Sequence, residues 1–183
     1  MKKIIPLLFV GLISLVTSNA YAWEHEIAAG YGYGNEIEED YSNQGYVLTG
    51  KFYKFRPIDD TLVVTLDGTV AHWTANVNHN KQLTTVAVAP SFRAYFANPR
   101  CHSVRPYLDV SFGPALLSAR QFGNRTQGAN AAFQTTLEVG TEVGNQKRSL
   151  DFNLHLAHYC NAGIFKPNQG INILYIFTVG YQF

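Results

Sequence analysis

Charge is scarce in this chain. Asp, Glu, Lys and Arg together make up 15% of its 183 residues, where a soluble domain carries about a quarter. The net charge of +1 leaves neither the basic field that nucleic acid requires nor an acidic tail. Cysteine is nearly absent, and the two present, Cys101 and Cys160, do not make the framework of a disulfide-stapled domain. Beyond the N-terminus no apolar run reaches the ~20 residues of a transmembrane helix. A sustained helical period is missing too. What remains is an aromatic-rich chain, 14% Phe, Trp and Tyr and 46% hydrophobic overall.

The first 22 residues read as a secretory leader. Lys2 and Lys3 form a basic start, Ile4 to Val16 an apolar core, and Ala20-Tyr21-Ala22 a small-x-small cleavage site. The apolar run is too short to span a bilayer comfortably, and Pro6 interrupts it. Residues 1–22 are therefore expected to be a signal peptide and residues 23–183 a single domain beginning at Trp23.

From Trp23 onward eight segments alternate with period 2. They run roughly over 23–34, 44–54, 61–74, 82–97, 105–116, 132–143, 150–160 and 172–183. One face of each is apolar: Ile27, Tyr31 and Tyr33 in the first, Val86, Val88 and Phe92 in the fourth, Tyr175, Phe177 and Val179 in the eighth. By the same alternation Ile173 joins that last face. The opposite faces carry Asp67, Arg93, Asp109, Glu138, Glu142, Asp151 and His155.

Connectors after the odd segments are mostly longer and polar, and those after the even ones mostly shorter. That asymmetry, with secretion and charge poverty, points to an all-β fold: an eight-stranded antiparallel transmembrane β-barrel of the outer membrane. The terminal Phe183 resembles the C-terminal signature of such barrels. The charged residues would line a lumen too narrow for a pore and pair among themselves. The other barrel with this alternation is a soluble one of lipocalin type, which would turn the apolar face inward.

The seventh segment holds the anomaly. Leu150, Phe152, Leu154 and Leu156 form an apolar stripe that continues into His158 and Cys160. An imidazole and a thiol thus end a lipid-facing stripe, at its extracellular end. Residues i and i+2 on a strand lie about 6.6 Å apart on one face, near enough for a base to activate a nucleophile. The Asn161-Ala162-Gly163 break that follows would free backbone N–H groups for an oxyanion. The bland reading is a histidine in the headgroup layer. A base, nucleophile and oxyanion donors facing the outer leaflet would act on a lipid.

The segment HYCNAGIFKPNQGIN resembles the signature of the lipid A 3-O-deacylases, the PagL-like outer-membrane lipases. Members carry His-Tyr-Ser-Asn-Ala-Gly, then Pro-Asn-x-Gly-Ile and a glutamate. The likeness is dense over these residues; elsewhere it extends only to the leader, the length and the eight-strand plan. It implies hydrolysis of the ester-linked acyl chain at position 3 of lipid A or lipopolysaccharide, with no metal or other cofactor. By the resemblance His158 is the general base, Asn161 and Gly163 lie near the oxyanion hole, and Pro167, Asn168 and Gly170 form the loop beyond. Lipid A of the outer leaflet would be the partner, in the Gram-negative outer membrane, with no nucleic acid; self-association as a homodimer is left open.

Two positions depart from that pattern. Cys160 stands where the family has its serine nucleophile, and Asn172 where it has the acid that orients the histidine. Cys-His-Asn is a working set on other folds, since a thiol is more acidic than a hydroxyl and needs less help. The alternatives are a catalytically inactive lipid-binding or adhesin-like barrel, using the loop NEIEEDYSN and the long loop after the fifth segment, or an acyltransferase. Simple alternation back from Phe183 puts Asn172 on the lumen face, so the orienting role requires a bulge, expected between Gly170 and Leu174. Cys101, in a connector at the opposite end of the barrel, cannot reach Cys160, because a disulfide needs Cα atoms within about 7 Å. Ser149 is no rival nucleophile, lying at the far end of the segment on the lumen side.

Overall fold

The computed structural model describes residues 25–37, 39–55, 61–96, 102–145 and 148–183. The leader and Cys101 lie outside the described residues.

Alternation produces the expected strands. They are β1 (Glu26–Asn35), β2 (Ser42–Phe55), β3 (Leu62–Ala75), β4 (Gln82–Tyr95) and β5 (Val104–Leu117), then β8 (Ala131–Gly144), β9 (Ser149–Cys160) and β10 (Ile171–Gln182). Two short strands, β6 (Gln121–Phe122) and β7 (Arg125–Thr126), form a hairpin between β5 and β8. The eight long strands close into one antiparallel barrel in the order β1-β2-β3-β4-β5-β8-β9-β10, with β10 returning to β1. Closure pairs every edge, which open sheets in lipid cannot do.

The pleat sorts the side chains as composition requires. On β4, Val86, Val88 and Phe92 point outward and are exposed, while Thr85, Ser91 and Arg93 are buried. The same holds around the circumference, from Tyr46 and Leu48 on β2 to Phe177 and Val179 on β10. An apolar surface of that extent is untenable in water and suited to hydrocarbon. The lipocalin arrangement, apolar inside and polar out, is excluded.

Inside, the half near the termini is ionic. Arg93 lies 3.1 Å from Asp109, 2.5 Å from Glu142 and 3.2 Å from each of Glu138 and Asp151. Its guanidinium also sits 3.7 Å over the Tyr107 ring. Lys51 bridges Asp109 at 3.2 Å and Asp67 at 3.7 Å. Each buried charge thus meets opposite charge, as the low-dielectric lumen demands. The other half is apolar: Trp73, Leu83, Phe122, Tyr159, Ile171 and Ile173 fill it. That plug was not visible in the alternation, which promised a polar lumen throughout.

The bulge is present, slightly beyond its expected place. The register of β10 on β9 shifts between Ile173 and Ile176, so that Asn172 pairs with His158 while Ile176 pairs with His155. Two residues of β10, Leu174 and Tyr175, oppose one of β9 there, and facing reverses across the shift. Ile173, expected outside with Tyr175 and Phe177, is therefore buried. Asn172 is turned to the outer face with His158.

Candidate active site

At the loop end of β9, Ala157 and Tyr159 are buried while His158 and Cys160 are partly exposed. The two reactive side chains share the outer face, and Cys160 is a free thiol. Ser149 is buried at the opposite end of the strand, as expected.

His158 is oriented by a neighbour on each flank. Asn172 is its partner across the β9–β10 ladder, and its Oδ1 accepts from the His158 Nδ1–H at 2.8 Å. A carbonyl oxygen can only accept, so Nδ1 carries a proton, and in the neutral ring the lone pair is on Nε2. That is the tautomer of a general base. Gly170 lies under the ring, where a β-carbon would overlap His158 Cε1. The glycine of the loop is a steric allowance for the imidazole.

The break after Cys160 is organised by Asn161, which is buried. Its N–H donates to Asn168 Oδ1 at 2.8 Å, and its Nδ2 donates to the Phe165 carbonyl at 2.7 Å. Its Oδ1 accepts from the Gly163 N–H at 3.0 Å and the Phe165 N–H at 3.4 Å. Two of the N–H groups expected to serve an oxyanion, those of Asn161 and Gly163, are thus engaged within the loop. Between them Ala162 has φ +53° and Gly163 +75°. A non-glycine residue in that region is held against roughly 1–2 kcal/mol of local preference. Among the described residues, the Ala162 N–H has no hydrogen-bond partner, and it follows Cys160 by two positions.

The long connector after β5 clamps this loop. Gly128 N–H donates to the Pro167 carbonyl at 2.6 Å, Gln169 N–H to Thr126 at 3.1 Å, and Gln127 reaches the Gln169 carbonyl. On its other side it holds the connector between β1 and β2: Tyr41 donates to the Phe122 carbonyl at 3.2 Å, and Arg125 reaches the Ile37 carbonyl. Burial, and behind it the Glu36 carboxylate, raises the Tyr41 phenol above its ordinary range. The loops that an adhesin would need free are packed onto the site.

Beside Cys160 runs an apolar groove of about 390 Å³. Phe133, the ladder partner of Cys160, lines it with Val88, Pro114, Leu116, Ile164 and Phe165. Asn161, Ile164 and Phe165 of the loop after Cys160 close one side of it.

One residue of this site was missed by sequence reasoning. Glu36, at the end of β1 and buried, accepts from Asn172 Nδ2 at 2.7 Å and from Asn172 N–H at 3.1 Å. Asn43 Nδ2 donates to it at 3.1 Å. The residue belongs to the acidic loop NEIEEDYSN, which the sequence offered only to the adhesin-like alternative, and no local spacing links it to the β9–β10 region. Among the described residues, Glu26, Glu142 and Asp151 could bring ligand atoms together around a metal ion, but they lie in the lumen and Arg93 already contacts all three.

Fold and site together define a class: a small membrane-spanning barrel with a histidine and a thiol on its lipid-facing surface, set against an apolar groove. The family model for lipid A 3-O-deacylase (PagL) matches residues 45–182, and the chain belongs to that family of outer-membrane proteins. The lipid A deacylase PagL of Pseudomonas aeruginosa is 27% identical over 93 residues, covering 51% of this chain and 50% of that protein. The chain thus spans about half the length of that curated relative. The crystal structure of the outer membrane enzyme PagL aligns with a TM-score of 0.64 at 21% identity, over 86% of this chain and 97% of that one. Neisserial surface protein A aligns with a TM-score of 0.56 at 12% identity, over 87% and 94%. The structural likenesses establish the barrel alone.

Proposed function

We propose that the protein is an outer-membrane lipid A 3-O-deacylase whose nucleophile is Cys160 and whose base is His158. The observation that carries this reading is the hydrogen bond from His158 Nδ1–H to Asn172 Oδ1. In the neutral ring it leaves the lone pair on Nε2, on the same lipid-facing surface as the thiol, and the bulge in β10 brings the amide to that face. Membership in the lipid A 3-O-deacylase family supports lipid A as the substrate. The removable leader through Ala22 accounts for export.

The chemistry follows from the geometry. The 3-linked acyl chain lies in the groove beside Phe133, which carries its ester carbonyl to Cys160. Nε2 takes the thiol proton as Sγ attacks the carbonyl carbon. The Ala162 N–H, in the strained bend, donates to the oxygen that becomes negative, and Asn161 and Asn168 hold that bend in place. The imidazolium then protonates the departing 3-oxygen of the sugar, leaving a thioester on Cys160. Water, deprotonated by the same Nε2, cleaves the thioester to release a fatty acid and restore the thiol. An amide can be the direct partner of His158 because the thiolate–imidazolium pair forms more readily than an alkoxide would.

Mass spectrometry of lipid A from cells expressing the protein tests the reading. The 3-linked acyl chain disappears with the wild type and is retained with Cys160→Ala and with His158→Ala. Unaltered lipid A from cells with a correctly assembled barrel contradicts it. Transfer of the chain to another lipid would show an acyltransferase instead.

A further inference from the structure

Asn172 presents its amide to two groups at once. Oδ1 accepts from His158, and Nδ2 donates to Glu36 at 2.7 Å. Reversing the amide would set its NH₂ against the protonated Nδ1 and its oxygen against a carboxylate. Glu36 therefore decides which way Asn172 points, and Asn172 decides which nitrogen of His158 carries the proton.

Glu36 is built to do this. It is buried, and among the described residues its carboxylate accepts from Asn172 Nδ2 and N–H, Asn43 Nδ2 and the Ile37 N–H at 3.2 Å, with the Arg125 guanidinium at ion-pair distance, 3.8 Å. That surrounding matches an acceptor-only carboxylate. The Asn43 side chain ties the arrangement together, since its Nδ2 also donates to the Asn172 carbonyl at 3.0 Å. A chain of three groups results, with a carboxylate polarising an amide that polarises an imidazole, and such chains strengthen one another cooperatively in a low-dielectric setting.

We propose that Glu36 is the positioning acid of this site, supplying through Asn172 the orientation and negative charge that His158 needs. The acid is displaced by one hydrogen bond and comes from the β1–β2 connector instead of β10. This rests on the assignment of His158 as the base of the deacylation, but it makes a claim about the imidazole that can be read without activity.

The experiment compares the purified full chain in detergent as wild type, Glu36→Gln, and the double variant Glu36→Gln with Asn172→Glu. The glutamine keeps the size and removes the charge. The double variant places a carboxylate directly on Nδ1. With lipid A as substrate, Glu36→Gln lowers kcat by about 10- to 100-fold, the usual effect of a lost orienting partner, while KM stays near its wild-type value. The double variant recovers most of that loss, which a merely structural glutamate would not permit. The ¹⁵N resonances of the His158 ring show one Nδ1–H tautomer in the wild type, a mixture in Glu36→Gln and the single tautomer again in the double variant. Wild-type kcat in Glu36→Gln, a double variant no faster than the single one, or an unchanged tautomer in Glu36→Gln overturns the proposal. Should the wild type fail to deacylate lipid A, the deacylase reading falls, and the ring spectra still decide the role of Glu36.

Discussion

Asn172 Nδ2 donates to Glu36 Oε1 at 2.7 Å across 136 positions of sequence. The seam of the barrel makes this contact. Because β10 pairs with β1, with Tyr33 opposite Tyr175, the loop leaving β1 meets the start of β10. A carboxylate near the N-terminus and an amide near the C-terminus thereby share one hydrogen bond, and the histidine of β9 completes the set. The site exists only in the closed barrel.

Replacing the proposed nucleophile by a hydroxyl separates thiol chemistry from the rest of the site. Cys160→Ser is expected to lose about 100-fold or more in kcat, since a hydroxyl is far less acidic than a thiol and the histidine here faces an amide, not an acid. Iodoacetamide inactivates the wild type and leaves the residual activity of Cys160→Ser untouched. Steady-state assay on lipid A with and without the alkylating agent checks both.

Gly170 has a narrower task. A methyl at this position overlaps His158 Cε1 and pushes the ring from its partner, and a misplacement of about 1 Å costs roughly 100-fold in rate. Gly170→Ala is therefore expected to lose activity on that scale while the heat-modifiable migration of the folded barrel in gels stays as in the wild type.

Asn161 holds the loop, and its loss should be local. Asn161→Ala removes the partner of the Gly163 and Phe165 N–H groups and of the Phe165 carbonyl, at about 0.5–1.5 kcal/mol for each hydrogen bond lost. Hydrogen exchange should speed up over residues 161–169 and stay slow in β3 to β5. Activity falls with it because the bend at Ala162 is no longer held.

Arg93 bears on the barrel, not the chemistry. Arg93→Met leaves Asp109, Glu138, Glu142 and Asp151 facing one another in the lumen, and breaking a buried ion pair from one side costs about 3–5 kcal/mol. Urea unfolding of the variant in lipid vesicles should show a correspondingly lower midpoint, with the loop-end site unaffected wherever the barrel is still folded.

The barrel was legible because a membrane imposes the simplest pattern. Strands such as β4, with Val86, Val88 and Phe92 outside and Ser91 and Arg93 inside, announce both faces at once. His158 and Cys160 stood out for the same reason, as polar residues on an apolar stripe. Asn172 was readable only through a break in that pattern, and the required bulge occurs between Ile173 and Ile176. The apolar plug of Trp73, Ile171 and Ile173 escaped notice because lumen filling depends on what faces across the barrel. Glu36 escaped for a stronger reason. Its partners lie across the seam, and neither period 2 nor local spacing carries information over 136 positions. Nor did the sequence of the loop announce that Asn168 would take up the Asn161 N–H and Asn161 the Gly163 N–H, two of the expected oxyanion donors.

A quenched reaction shows whether Cys160 attacks the acyl ester. Purified protein is mixed with lipid A, stopped in acid within the first turnover and analysed by mass spectrometry. A thioester-linked acyl chain confined to the peptide containing Cys160, released by hydroxylamine, with no acyl chain liberated by Cys160→Ala, is the predicted result. Liberation of the 3-linked acyl chain by Cys160→Ala at the wild-type rate would contradict it.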